Sequence, residues 1–193
     1  MHLTIAMLTY RRNEYLAQVI PQLLEQADDV SGPDATAGVL IVDNDPQAGA
    51  RAVVEAARAA LRSDPAESLE PLGEDDSAVS ALTSRLVYVH EPEPGIVAGR
   101  NRALSEARGS DALVFIDDDE IPSPGWLASL VSTWRSQECA AVTGPTPPTF
   151  EVTPSPWVTA SGAFDSWEAA DGAQVRSADT GNLLLDLAVV EGL

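Results

Sequence analysis

The stretch ALVFIDDDE, residues 112–120, decides how this chain is read. Its five apolar residues, 112–116, have the length and composition of a strand buried on both faces. Asp117, Asp118, Asp119 and Glu120 then emerge together at its end. Acidic side chains crowded into one turn repel each other, so such a cluster calls for a cation or a ligand that carries one. Ligands that are all oxygen favour Mg²⁺ or Mn²⁺ over zinc or copper. The run lacks the alternating spacing and distal Glu of an EF-hand loop.

Working outward, short apolar runs alternate with segments of helical period, the pattern of an α/β fold with an open, mostly parallel, Rossmann-like sheet and helices on both faces. HLTIAML (2–8) reads as the first strand. A helix follows, with Asn13 as its expected N-cap and Leu16, Val19, Ile20, Leu23, Leu24 and Ala27 on one face. VLIVD (39–43) is the second strand, with an Ala-rich helix over 47–62, and LVYVH (86–90) the third, with a helix over 96–108 stopped by Gly109. After the fourth strand, Ser123 and Pro124 are expected to cap and open a helix carrying Trp126, Leu127, Leu130, Val131 and Trp134.

The expected organisation is one domain over 1–193, with a ligand-binding core over 1–136. Residues 63–84 hold six acidic and no basic residues and read as a solvated surface insertion. Beyond Cys139 the Pro-rich TGPTPPTFEVTPSPW breaks the βα alternation, so 140–193 reads as an irregular, substrate-facing region. Thirty acidic against eleven basic residues, a formal charge of −19, argue against nucleic acid or an anionic membrane surface as partner. No apolar run reaches the roughly 18 to 20 residues that span a bilayer. With a single cysteine and no secretory signal, the expected location is cytoplasmic, with peripheral association at the inner membrane face compatible. Cys139, His2 and His90 match no zinc spacing and read as structural.

Each strand ends in polar residues: Thr9, Tyr10, Arg11 and Arg12; Asp43, Asn44 and Asp45; HEPEPGIVAGRN; and DDDE. In open parallel sheets ligands bind beyond the carboxyl ends of the strands, so these patches should converge. Asp43 is placed either to accept hydrogen bonds from a nucleoside or to cap the next helix. The segment from Gly95 to Asn101 opens a helix whose N–H groups favour an anion, with Arg100 adding charge. Neither GxGxxG nor a Walker-type loop occurs.

Together these motifs resemble the family 2 glycosyltransferases of the GT-A fold, inverting enzymes that use nucleotide-diphosphate sugars. TYRRNEYL, VLIVDND, PGIVAGRNRAL and FIDDDE followed by PSPGWL stand in the family's order over about 3–131, and TGNLLLD (180–186) is similar to its acceptor-side segment. The resemblance implies that Thr9, Tyr10, Arg11 and Glu14 lie around base and ribose, and that Asp43 contacts the nucleobase. Arg100 and Asn101 would meet the diphosphate region. Asp117 and Asp119 match the DxD positions as metal ligands, with Asp117 also near the ribose and sugar and Asp118 on the donor sugar's hydroxyls.

The implied reaction is hexosyltransferase-like: a sugar moves with inversion from a UDP-sugar or similar donor to a hydroxyl of a carbohydrate, lipid-linked or other acceptor, with Mg²⁺ or Mn²⁺. Phe150, Trp157, Phe164 and Trp167 are either acceptor-stacking rings or loop anchors. The family's general base lies downstream of the segment resembling TGNLLLD, commonly in an ED pair, and none occurs there. Glu191 is the candidate, ahead of Asp165, Glu168 and Asp171, and Asp186 lacks the motif. The chain is thus expected to be a shortened enzyme or a donor-binding module without its base.

Overall fold

The computed structural model describes residues 1–63, 85–165 and 169–190. Four parallel strands form the centre: β1 (His2–Thr9), β2 (Thr36–Asp43), β3 (Leu86–His90) and β4 (Ala112–Asp117). The long helices are α1 (Asn13–Val30), α2 (Arg51–Ser63), α3 (Ile96–Glu106) and α4 (Trp126–Gln137). Beyond them come β5 (Ala141–Thr143), the short α5 (Pro156–Ala160), β6 (Asn182–Asp186) and a last turn of helix, α6 (Leu187–Val190). The sheet order is β3-β2-β1-β4-β6-β5, with β6 antiparallel to both of its neighbours.

Strand alternation explains why both sheet faces are covered. Leu3, Ile5 and Met7 of β1, with Val39, Ile41, Val114 and Ile116, turn to one face and pack with α1 and α4 residues such as Leu16, Leu23 and Leu127. Ala6, Leu40, Val42, Leu113 and Phe115 turn to the other face, against Ala103 of α3 and Leu187 of α6. These apolar runs are continuous in sequence because neither face meets water.

Four local expectations are corrected. Asn13 is not the N-cap of α1: Arg12 holds that position without a side-chain cap, while the Asn13 amide donates to the Gly49 carbonyl at 3.0 Å. Ser123 and Pro124 lie in a turn before α4, which starts after Gly125 at φ 73°. The helix expected from 47 begins at Arg51, because Asp43 first turns the chain. Finally, 140–193 is not wholly irregular, since β5 and β6 extend the sheet. The acidic stretch 63–84 lies outside the described residues apart from Ser63, which closes α2. Among the described residues no helix is long and apolar enough to cross a membrane.

Candidate functional site

Parallel register aligns the strand ends. Leu8 pairs with Asp117, Thr9 with Asp43, and Asp43 with His90, so the four polar segments share one edge of the sheet. The β1–α1 turn bends there through Arg11, whose φ of 58° is unusual for a non-glycine residue. Thr9 is buried, and its Oγ1 is the one buried side-chain polar atom without a partner among the described residues. Tyr10 is about half exposed, and the Arg11 guanidinium lies 5.0 Å from its ring centroid. Glu14 is exposed in the first turn of α1.

Arginines hold three of the four carboxylates that end β4. Arg12 Nη1 is 2.8 Å from Asp118 Oδ1 and 2.7 Å from Asp119 Oδ2, and Arg100 Nη2 is 3.6 Å from Asp117 Oδ1. Asp118 is buried and also accepts the Tyr10 N–H at 3.3 Å. The hydrogen bond to Asp119 and the charge of Asp118 push the Arg12 guanidinium pKa further up. Burial raises the Asp117 pKa, against the pull of Arg100 and with the push of Asp119, Asp179 and Asp118. Glu120 is pushed up to about 7, by burial first and then by the charges of Asp117, Asp119 and Asp179. Asn101 lies exposed on α3, one residue beyond Arg100.

Asp43 stands differently from the exposed groups. It is fully buried, and its carboxylate accepts from the N–H groups of Asp45 at 3.0 Å and Ala50 at 2.9 Å and from the Tyr88 hydroxyl at 2.9 Å. These bonds describe the turn-capping role. Asp45 instead reaches Arg11 Nε at 3.3 Å. The Asn44 amide donates to the carbonyls of Glu91 and Glu93 at 3.1 and 2.6 Å and accepts the Gly95 N–H at 2.8 Å, which fixes the approach to α3. Gly99 lets α3 come close, since a Cβ there would lie 2.7 Å from Leu8 Cδ2.

The start of β6 closes the site's other side. Gly181 packs on the carboxylates so tightly that a Cβ would lie 2.6 Å from Glu120 Oε1 and 3.1 Å from Asp117 Oδ2. Asn182 Oδ1 accepts the Trp126 indole N–H at 2.9 Å, and its amide donates to Pro145 O at 3.2 Å. Its carbonyl accepts the Thr143 hydroxyl at 2.7 Å. The excursion over residues 144–181 is therefore pinned at its neck by one asparagine.

Asp186 is at the opposite end, paired with Ala112, where it accepts the Trp134 indole N–H at 3.0 Å and the Ala188 N–H at 3.0 Å. Asp165 and Asp171 are exposed in the excursion, whereas Glu168, Trp167 and Glu191 lie outside the described residues. Phe150 and Phe164 pack edge-on at 5.6 Å, and Trp157 is 75% exposed. A groove of about 870 Å³ along α4, β5 and 169–175 is lined by Asp171 and by none of the carboxylates that end β4. His90 and His2 bond to Asp45 O and Thr36 Oγ1, as structural residues do.

Arg12, Glu120, Asp179 and Asn182 enter the site without having been assigned roles from sequence. Arg12 and Asn182 lie inside the quoted motifs TYRRNEYL and TGNLLLD, and Glu120 ends DDDE. Arg12 meets Asp118 across 106 residues and Asn182 meets Trp126 across 56, pairings that carry no local signal.

The donor set fits a hard divalent cation. Asp119 is exposed and all nearby ligand atoms are oxygen, yet among the described residues no three acidic, His or Cys side chains form a ready-made cage. That combination suits Mg²⁺ or Mn²⁺, which take one or two carboxylates and complete their shells with phosphate oxygens and water.

The chain resembles known proteins along nearly its whole length. The model of glycosyl transferase family 2 matches residues 4–168. The succinoglycan biosynthesis protein ExoM of Rhizobium meliloti (strain 1021) is 31% identical over 186 residues, covering 96% of this chain and 52% of that protein. The mannosyltransferase PcManGT of Pyrobaculum calidifontis, solved with GDP-Man and Mn²⁺, shares the fold at TM-score 0.63 and 16% identity, over 98% of this chain and 46% of that one. S. aureus TarS 1-349 in complex with UDP does so at TM-score 0.58 and 13% identity, over 100% and 48%. The chain thus spans about half the length of these relatives. The sheet is the GT-A sheet of those transferases, and the chain belongs to glycosyl transferase family 2.

Proposed function

We propose that the chain binds a nucleotide-diphosphate sugar, a UDP-sugar or similar, and transfers the sugar with inversion to an acceptor hydroxyl. The observation that carries this is the convergence at one sheet edge of the unpartnered Thr9 Oγ1, the Arg100–Asp117 pair and the Asp118–Asp119 carboxylates. Thr9, Tyr10, Arg11 and Glu14 are assigned to base and ribose. Asp43 is assigned to the nucleobase side through the turn it holds. Arg100 and Asn101 are assigned to the diphosphate, where a guanidinium fixes phosphate oxygens bidentately. Asp118, held by Arg12 and Tyr10, orients sugar hydroxyls.

Asp119, with Asp117, would hold Mg²⁺ or Mn²⁺, which when bound neutralises charge on the departing diphosphate. GDP-Man with Mn²⁺ in the mannosyltransferase and UDP in TarS support this donor class. In the proposed displacement the acceptor oxygen bonds the anomeric carbon as the bond to diphosphate breaks, and a carboxylate takes the acceptor's proton. Glu191 is the sequence's candidate for that base, and the acceptor is a carbohydrate or lipid-linked hydroxyl compound. We assign the reaction to the cytoplasmic side, with the carboxylate site facing a soluble donor.

Incubation with a UDP-sugar panel and Mn²⁺ tests the reading: nucleoside diphosphate release that Asp119→Ala abolishes is expected. Tight donor binding without release supports the second reading, a donor-binding module.

A further inference from the structure

One guanidinium nitrogen lies within 3 Å of two different carboxylates, the position a small bridging cation takes: Arg12 Nη1, 2.8 Å from Asp118 and 2.7 Å from Asp119. The two contacts differ in setting. The Asp118 side chain is 11% exposed and is further held by the Tyr10 N–H, whereas the Asp119 side chain is 56% exposed. An ion pair in water is weak, so the Asp119 contact is the one that opens. The neighbouring arginines are committed elsewhere, Arg11 to Asp45 and Arg100 to Asp117.

We propose that Arg12 is a built-in counter-ion for Asp119 that a divalent cation must displace, so that Arg12 sets the concentration at which the site takes up metal. The inference rests on the metal-dependent reading above. Without metal, the arginine relieves repulsion among the acids that end β4. On displacement the guanidinium stays tethered to Asp118, which keeps the β1–α1 turn seated on β4. Arg12 is a positioning residue here, acting on cation uptake through Asp119.

The test is Mn²⁺ alone, titrated at low ionic strength with free Mn²⁺ read by EPR, on wild type, Arg12→Gln, Arg12→Lys and Asp119→Asn. Arg12→Gln is expected to bind Mn²⁺ about fivefold more tightly than wild type, the size of one released exposed ion pair. Arg12→Lys should fall between, and raised NaCl should shrink the gain. Equal or weaker affinity in Arg12→Gln, with wild-type binding that Asp119→Asn removes, overturns this inference and leaves the metal-dependent reading standing. No Asp119-dependent binding in any form, either of Mn²⁺ alone or of Mn²⁺ with UDP supplying phosphate oxygens, overturns both. If Arg12→Gln does not fold, Arg12→Lys decides: a gain of twofold or more supports the inference, and no gain overturns it.

Discussion

At Thr9, a hydroxyl is buried at the end of β1 with no partner of its own. Thr9→Val keeps the shape and removes the unpaired group, so folding stability should hold or rise by up to about 1 kcal/mol. Nucleoside-diphosphate affinity should fall roughly threefold to tenfold if the hydroxyl serves the ligand, as calorimetric titration would show. A less stable variant with unchanged affinity would contradict that assignment.

Glu120 makes a second test through its pKa of about 7, raised from 4.5. Its neutral form suits the fold, so its stabilising contribution is complete below about pH 4.5 and is lost as pH rises toward and through 7. Glu120→Gln in chelator should match wild type near pH 4.5 and melt higher near pH 8. That these residues share the carboxyl end of the sheet was readable because the motifs close apolar strands. The Arg12 bridge was not, since it joins positions far apart in sequence.

Among the elements, β1 to β4 were legible because each is a continuous apolar run, and the fold writes that run wherever a strand is covered on both faces. NLLLD carries the same signal, but it is short and stands after a Pro-rich stretch, so its antiparallel place beside β4 was hidden. Asp43 shows how one carboxylate can govern an element boundary. Asp43→Ala would leave the Ala50 N–H and Tyr88 hydroxyl without their partner and should lower unfolding free energy in urea by about 2–3 kcal/mol. It should also bring the Tyr88 phenol down from about 12, a value set by burial first and then by Asp43, as absorbance titration would register.

Over the whole molecule, a formal charge of −19 repels itself. Raising ionic strength from about 0.01 to 0.1 M shortens the screening length from about 30 to 10 Å, so the melting temperature should climb with NaCl. A flat or falling melting curve would mean that the acids are locally balanced, as Asp118 and Asp119 are by Arg12. The mostly parallel core was legible from sequence as a global pattern. The close approach of Gly181 to the carboxylates was not, because it depends on β6 folding back from a distance.

The pinning of residues 144–181 at Asn182 bears on how such a protein diversifies. Both ends of the excursion meet at one hydrogen-bonded junction beside Gly181, while the sheet closes independently of what lies between. Loop-closure cost grows only slowly with length, so the excursion can be lengthened, shortened or replaced while the strands keep their register. On the proposed function, acceptor preference would then change by exchanging one cassette that stops short of Asp179 and Gly181, the two residues of the excursion that bear on the carboxylates.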